Sequence, residues 1–156
     1  MNFRKANEKY INELVLLFKD LLVMHSENVT NVFNENVDED ILKDYISEAI
    51  SKENHSFYIA EDEEKIIGAI EVMIIIEKDN PTLRSREYAL IDKLVVDKHY
   101  RGCGIGSGLI EYAEEDLRSR GIREVEIYVW EFNSGALNLY DKKGYKTICR
   151  RMARTI

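Results

Sequence analysis

Four of the chain's eight glycines fall within seven residues, in the run Tyr100-Arg101-Gly102-Cys103-Gly104-Ile105-Gly106-Ser107-Gly108. The run follows an apolar, strand-like stretch, Leu94-Val95-Val96. It opens a segment whose apolar residues Ile105, Leu109, Ile110, Ala113 and Leu117 recur at helical spacing up to Gly121. Glycine admits backbone conformations closed to other residues and lets another molecule approach the main chain. A helix N-terminus carries unpaired N–H groups and a partial positive charge, so this strand-to-helix junction favours an anion, phosphate groups above all. Arg101 can add a positive charge and Ser107 a hydroxyl donor. The spacing excludes the P-loop, which needs a lysine after the glycines. It also fails the dinucleotide form G-x-G-x-x-G: from Gly102 and Gly104 the third position is Ser107, and from Gly104 and Gly106 it is Leu109. A dinucleotide fold places such a loop in its first βα turn, whereas this one comes after residue 100. Glu126, about 20 residues on, keeps a nicotinamide-dependent oxidoreductase as a distant alternative.

Around this junction the pattern alternates between helix and strand. A short strand is expected at Asn2 to Lys5. Asn7 is a candidate N-cap for a helix carrying Ile11, Leu14, Val15, Leu17, Phe18, Leu21 and Leu22 to about Met24. Ser26 to Asn36 is polar and turn-rich, and Asp38 opens a second helix through Ile41, Leu42, Tyr45, Ile46, Ala49 and Ile50. His55 to Glu61 and Ile66 to Glu77 form a hairpin about the charged turn Asp62 to Lys65. Lys78 to Arg86 holds the only proline, Pro81, and reads as a loop; Glu87 to Asp97 is the next strand. After the glycine helix come a strand at Glu124 to Trp130, a helix from Asn133 to Lys142 and a last strand from Tyr145 to Arg151. The order β-α-α-β-β-β-α-β-α-β implies an α/β domain with a mixed, mostly antiparallel sheet flanked by about four helices. No linker or repeat divides residues 1-156, so one domain is expected.

Charge and composition narrow the function. The chain of 156 residues carries 22 basic and 29 acidic side chains, a net −7. An acidic protein is poorly suited to neutralising phosphate backbones, so nucleic acid is not an expected partner. Residues 1 to 78 hold 8 basic and 17 acidic groups, against 14 and 12 in the remainder. The first half can therefore attract a cation and the second hold a small polyanion, although solvated helix faces alone would give the same counts. No apolar run approaches the ~18 residues a membrane span needs, and Met1 to Tyr10 lacks a leader-like core, so a cytoplasmic protein without membrane attachment is expected. Cys103 and Cys149 show no metal or redox spacing, and His25, His55 and His99 are scattered. No metal site is expected, and the three histidines read as surface or boundary residues.

Arg101, Gly104 and Gly106 satisfy R-x-x-G-x-G directly after an apolar strand. At this point the sequence resembles the GNAT superfamily of N-acetyltransferases, whose pyrophosphate loop has the form [RQ]-x-x-G-x-[GA]. Ile91-Asp92-Lys93-Leu94-Val95-Val96-Asp97 is similar to that family's central strand. Asn133-Ser134-Gly135-Ala136-Leu137-Asn138-Leu139-Tyr140-Asp141-Lys142-Lys143-Gly144-Tyr145 is similar to its N-x-x-A-x-x-L-Y-x-K-x-G-[FY] segment. The two motifs lie in the family's order and cover residues 88 to 147.

The resemblance implies acetyl-CoA as cosubstrate and direct attack of a primary amine, from a small molecule or peptide, on the thioester. Pyrophosphate would rest on Arg101, Gly102, Cys103, Gly104, Ile105, Gly106 and Ser107. The pantetheine arm would pair with main-chain groups of Val95 and Val96 as an added strand would. The N–H of Leu94 is the candidate for polarising the thioester carbonyl. Asn133, Ala136 and Tyr140 are implied to contact CoA, with Tyr140 protonating the departing thiolate and Asn133 also capping its helix. Asp92 matches the position of a family carboxylate and is the candidate general base, with Lys93 beside it as an expected ion-pair partner; Glu71 and Glu126 are the alternatives. The resemblance also allows a homodimer. Two other functions keep the same CoA site: transfer of a different acyl group, and a CoA-binding or sensing module without catalysis.

Overall fold

Strand burial sets the architecture. The computed structural model describes residues 1–156 and places Lys65–Glu77 (β3) at the centre of a five-stranded sheet, where most of its side chains are buried. Around it stand Asn2–Lys5 (β1), His55–Asp62 (β2), Arg86–Val96 (β4) and Val125–Ile127 (β5), in the spatial order β1-β2-β3-β4-β5. Every neighbouring pair is antiparallel except β4 and β5, which run parallel. That exception follows from the helix Ile105–Ser119 (α3), because a parallel neighbour needs a crossover rather than a hairpin.

Helices cover both faces. Ile11–Asn28 (α1) and Glu39–Ile50 (α2) bury Leu14, Phe18, Leu21 and Ile46 with Phe57, Ile59, Ala69 and Val95 of the sheet. On the other face α3 and Ser134–Lys142 (α4) pack Ile105, Leu109, Ile110 and Tyr140 with Tyr58, Ile67, Ile70 and Ile91. Caps fix where the helices begin. Asp38 accepts from the N–H groups of Asp40 and Ile41 at the start of α2, and Asn133 accepts from Ala136 at the start of α4. Asn7 caps a single 3₁₀ turn, Glu8–Tyr10, that runs on into α1.

The succession of elements follows the expected order as far as α4. Three boundaries differ. First, α1 continues past Met24 to Asn28. Second, the strand expected over residues 124 to 130 pairs only at Val125–Ile127, because β5 turns away from β4 after one more bond, from Tyr128 N to Ile91 O at 3.3 Å. Third, Tyr145 to Arg151 is not a strand. Tyr145 donates to Tyr140 O, and no later residue makes a main-chain hydrogen bond. A strand exists only through a ladder partner, and no neighbour supplies one to this segment.

Candidate active site

The glycine turn leaves main-chain donors open at a helix start. Gly102 and Gly104 take φ of +79° and +81°, in the left-handed region where a side chain would be strained, and an added Cβ would meet no atom within 4 Å at either. The surface above the turn is open. Gly104 is the N-cap of α3 and offers no side chain to cap it, and the N–H groups of residues 101 to 107 find no acceptor within the protein. Gly106 and Gly108 serve packing instead. A Cβ on Gly106 would stand 3.1 Å from Leu139 of α4, and one on Gly108 would stand 2.3 Å from the Phe3 ring of β1. Arg101 bends back so that its Nε donates to Val96 O at 3.1 Å, and Cys103 is exposed and unpaired.

Beside the turn the sheet opens. β4 and β5 pair only from Ala89 to Ile91, so the outer edge of β4 is free from Asp92 onward. The Asp97 N–H bonds Ile67 on β3 at 2.9 Å. Alternation along the strand then turns the main-chain groups of Leu94 and Val96 toward the free edge and those of Val95 toward Ala69 of β3. The expectation that Val95 offers main-chain groups at this edge is corrected accordingly: Leu94 presents both its groups there and Val96 its N–H, the Val96 carbonyl already accepting from Arg101.

A cavity of about 130 Å³ occupies the gap. Its wall joins both sides of the sheet. Leu21, Leu22, His25 and Phe33 come from α1 and the segment after it, Asp92, Lys93 and Leu94 from β4, Tyr128, Val129 and Trp130 from the segment after β5, and Asn133, Ala136 and Tyr140 from α4 and its cap. Tyr140 is buried and its hydroxyl has no protein partner; burial alone pushes its phenol up to about 12, so it stays protonated at neutral pH. His25, Phe33, Trp130 and Phe132 make a chain of ring contacts at 5.0 to 5.6 Å between centroids along the α1 side.

The three candidate bases are each engaged. In the β3–β4 register Glu71 lies opposite Lys93 and Val72 opposite Ile91, which leaves Asp92 as the extra residue of a β-bulge. A bulge puts adjacent side chains on one face, so Lys93 Nζ reaches both Asp92 Oδ2, at 2.6 Å, and Glu71 Oε2, at 2.7 Å. The expected Asp92–Lys93 pair is thus present. Glu71 is fully buried and also accepts from Tyr45 Oη and from His55 Nε2, the latter at 2.7 Å. Burial pushes the Glu71 carboxyl up, but the His55 bond, the charge and bond of Lys93 and the Tyr45 hydroxyl outweigh it and hold it below the usual range. Burial likewise opposes the charge on Lys93, yet Glu71 and Asp92 together raise it. Glu126 lies apart from the cavity, held by Arg86 Nη1 at 2.6 Å.

Of the three histidines read as surface or boundary residues, one departs. His99 is exposed as expected, but His55 is buried against Glu71 and stacked on Phe57. His25 lines the cavity, and its position was signalled by the helical stripe of Phe18, Leu21 and Leu22, which it extends by one step. No helix is long and apolar enough to cross a membrane.

A turn of unpaired N–H groups thus adjoins a gap between two parallel strands, with a buried tyrosine on one side and Asp92, Lys93 and an aromatic row on the other. Comparison with known proteins gives the family. Residues 20–145 match the family model described as the acetyltransferase (GNAT) family, and the chain belongs to that family. It is 35% identical over 107 residues to N-acetyltransferase 8B of Homo sapiens, covering 69% of this chain and 44% of that protein. It is 33% identical over 103 residues to the streptothricin acetyltransferase of Escherichia coli, covering 66% and 54%. The match thus spans about half the length of these relatives. Among solved structures, a tetramutant of the BH1408 protein from Bacillus halodurans superposes with a TM-score of 0.90 at 22% identity over 100% of both chains. A predicted acetyltransferase from Clostridium acetobutylicum, solved with acetyl-CoA, gives 0.77 at 21% identity over 99% of this chain and 95% of that one. At these identities the structures support the fold.

Proposed function

We propose that the protein is an acetyl-CoA-dependent N-acetyltransferase that acts on a primary amine of a small molecule by direct attack in a ternary complex. The observation that carries this reading is the continuity of the site. Unpaired N–H groups at residues 101 to 107 lead along the free edge of β4 to a cavity holding Tyr140 and Asp92. Gly102, Cys103, Gly104, Ile105, Gly106 and Ser107 are suited to pyrophosphate, since their donors point at an open surface at a helix N-terminus. Arg101, anchored through Nε, keeps its remaining guanidinium donors for the same anion. Leu94 and Val96 offer main-chain groups to an extended pantetheine arm as a fifth strand would, had it not turned away.

The chemistry follows from the two walls. Acetyl-CoA brings the activated acyl group. The N–H of Leu94 is placed to stabilise negative charge on the thioester oxygen as the amine attacks. Tyr140, protonated at assay pH, donates to the departing thiolate. Asp92 is the carboxylate an incoming amine would meet at the cavity wall, and a small amine acceptor is in keeping with the streptothricin acetyltransferase among the relatives. The test is thiol release from acetyl-CoA against a panel of polyamines, aminoglycosides, arylalkylamines and lysine peptides. The expected result is acetylation of at least one small amine. Tight CoA binding without transfer to any of them would refute catalysis and favour a sensing module.

A further inference from the structure

Every N-acetyl transfer must remove a proton from the attacking nitrogen, and each carboxylate near the gap already holds a cation or several donors. Glu71 has neither exposure nor a free position, and Glu126 is outside the cavity. Asp92 lines the cavity, but protonating it would weaken its ion pair with Lys93. His25 is different. Its Nδ1 lies 2.8 Å from Leu21 O. A carbonyl oxygen can only accept, so Nδ1 carries the hydrogen, and in the neutral ring Nε2 carries the lone pair. Nε2 makes no hydrogen bond within the protein, and the ring is held against Phe33 and Phe132 at the cavity wall. The ring is therefore fixed in tautomer and position, with its basic nitrogen unspent.

Resting on the N-acetyltransferase reading above, we propose that His25 is a catalytic base of this site, taking the proton of the attacking amine at Nε2 directly or through one water. The amine enters the step neutral, its ammonium proton already lost to solvent; its nitrogen bonds to the carbonyl carbon and the C–S bond breaks. The nitrogen's proton passes to His25 and the thiolate takes the Tyr140 proton. His25 then returns its proton to solvent and Tyr140 regains one, leaving amide and thiol. The titratable groups that line the cavity with the ring are Lys93 and Asp92 of β4, Tyr128 beyond β5 and Tyr140 of α4, of which Lys93 and Asp92 act on its charge. Burial lowers the affinity of the ring for a second proton, the Leu21 bond raises it, Lys93 lowers it and Asp92 raises it; the net direction is down, which keeps Nε2 free at neutral pH.

The experiment compares the wild type with His25→Asn, whose amide N–H can still reach Leu21 O but which has no basic nitrogen. Thiol release is followed from about pH 5 to 9 with phenethylamine, spermidine and kanamycin as probes. Wild-type kcat should fall as the pH drops through a value below 6.5. His25→Asn should lose roughly 10²-fold in kcat and the acid limb with it, keep its KM for acetyl-CoA, and recover in part with added imidazole. An independent readout is nitrogen NMR of histidine-labelled wild type, which should show His25 in the Nδ1–H tautomer. An unchanged kcat and acid limb in a folded His25→Asn protein would overturn the base and leave the acetyltransferase intact. The Nε2–H tautomer would overturn it whatever the turnover. A wild type that releases no thiol with any probe would overturn both.

Discussion

Removing Lys93 tests the polar cluster at its centre. Its ammonium lies 2.7 Å from the fully buried Glu71 and also holds Asp92 at 2.6 Å. In Lys93→Met the methionine fills much of the same volume, but Glu71 keeps only the Tyr45 hydroxyl and His55 as donors. Breaking a buried pair from one side costs about 3–5 kcal/mol, because the remaining charge is stranded. At about 2–4 °C per kcal/mol for a chain of this size, the melting temperature should drop by roughly 6–20 °C at pH 7. Replacing the other partner too, as Lys93→Met with Glu71→Gln, removes the stranded charge and should recover most of the loss. The pH dependence has a definite sign. Glu71 is held below its usual value of 4.5 in the fold, so its contribution is full above that value and is lost as pH falls through the lowered one. Without Lys93, burial prevails and the carboxyl protonates at higher pH, so the gap between variant and wild type should narrow in acid. The assay is thermal unfolding by circular dichroism at pH 7 and pH 5. A single variant within about 1 kcal/mol of wild type, or a double variant no more stable than the single, would refute the account.

The other expectations concern single groups. Gly104→Ala forces a β-carbon into φ +81° without a clash, so the cost is strain alone, about 1–2 kcal/mol; thermal melts should show it, with Gly104→Asn milder. Gly108→Ala gains about 1 kcal/mol of helix propensity but drives a methyl into the Phe3 ring, 2.3 Å away, so it should destabilise the wild type and stabilise a Phe3→Ala background in a denaturant series. Tyr140→Phe removes a hydroxyl with no protein partner, so the melting temperature should hold while kcat falls roughly 10²-fold and CoA affinity by calorimetry changes little.

What was legible in the sequence were features whose cause lies within a few neighbouring residues. The glycine spacing gave the strand-to-helix turn, the stripe Ile105, Leu109, Ile110, Ala113 gave α3, and Asp38 and Asn133 marked helix starts because capping acts over three residues. Features set by a distant partner were hidden. Asp92 is a bulge only against Glu71 and Val72, twenty residues earlier. The tail after Tyr145 has the composition of a strand but no ladder to join. That His25 lines the cavity was hidden for a more local reason: ending α1 at Met24 removed it from the apolar stripe it continues, and its ring neighbours Phe33 and Phe132 come from other parts of the chain. Glu71 alternated like any solvated strand carboxylate until α2 covered it with Tyr45.

The extra residue at Asp92 also resets the odd and even numbering of β4. Before it, odd positions Ala89 and Ile91 belong to the core beneath α3; after it, odd position Val95 belongs to the core beneath α1 and α2. One strand thus changes allegiance halfway along its length. Deleting Asp92 itself would close the bulge and leave Leu94, Val95 and Val96 on their present sides, whereas deleting Leu94 beyond it would shift the frame and send Val95 into the wrong core.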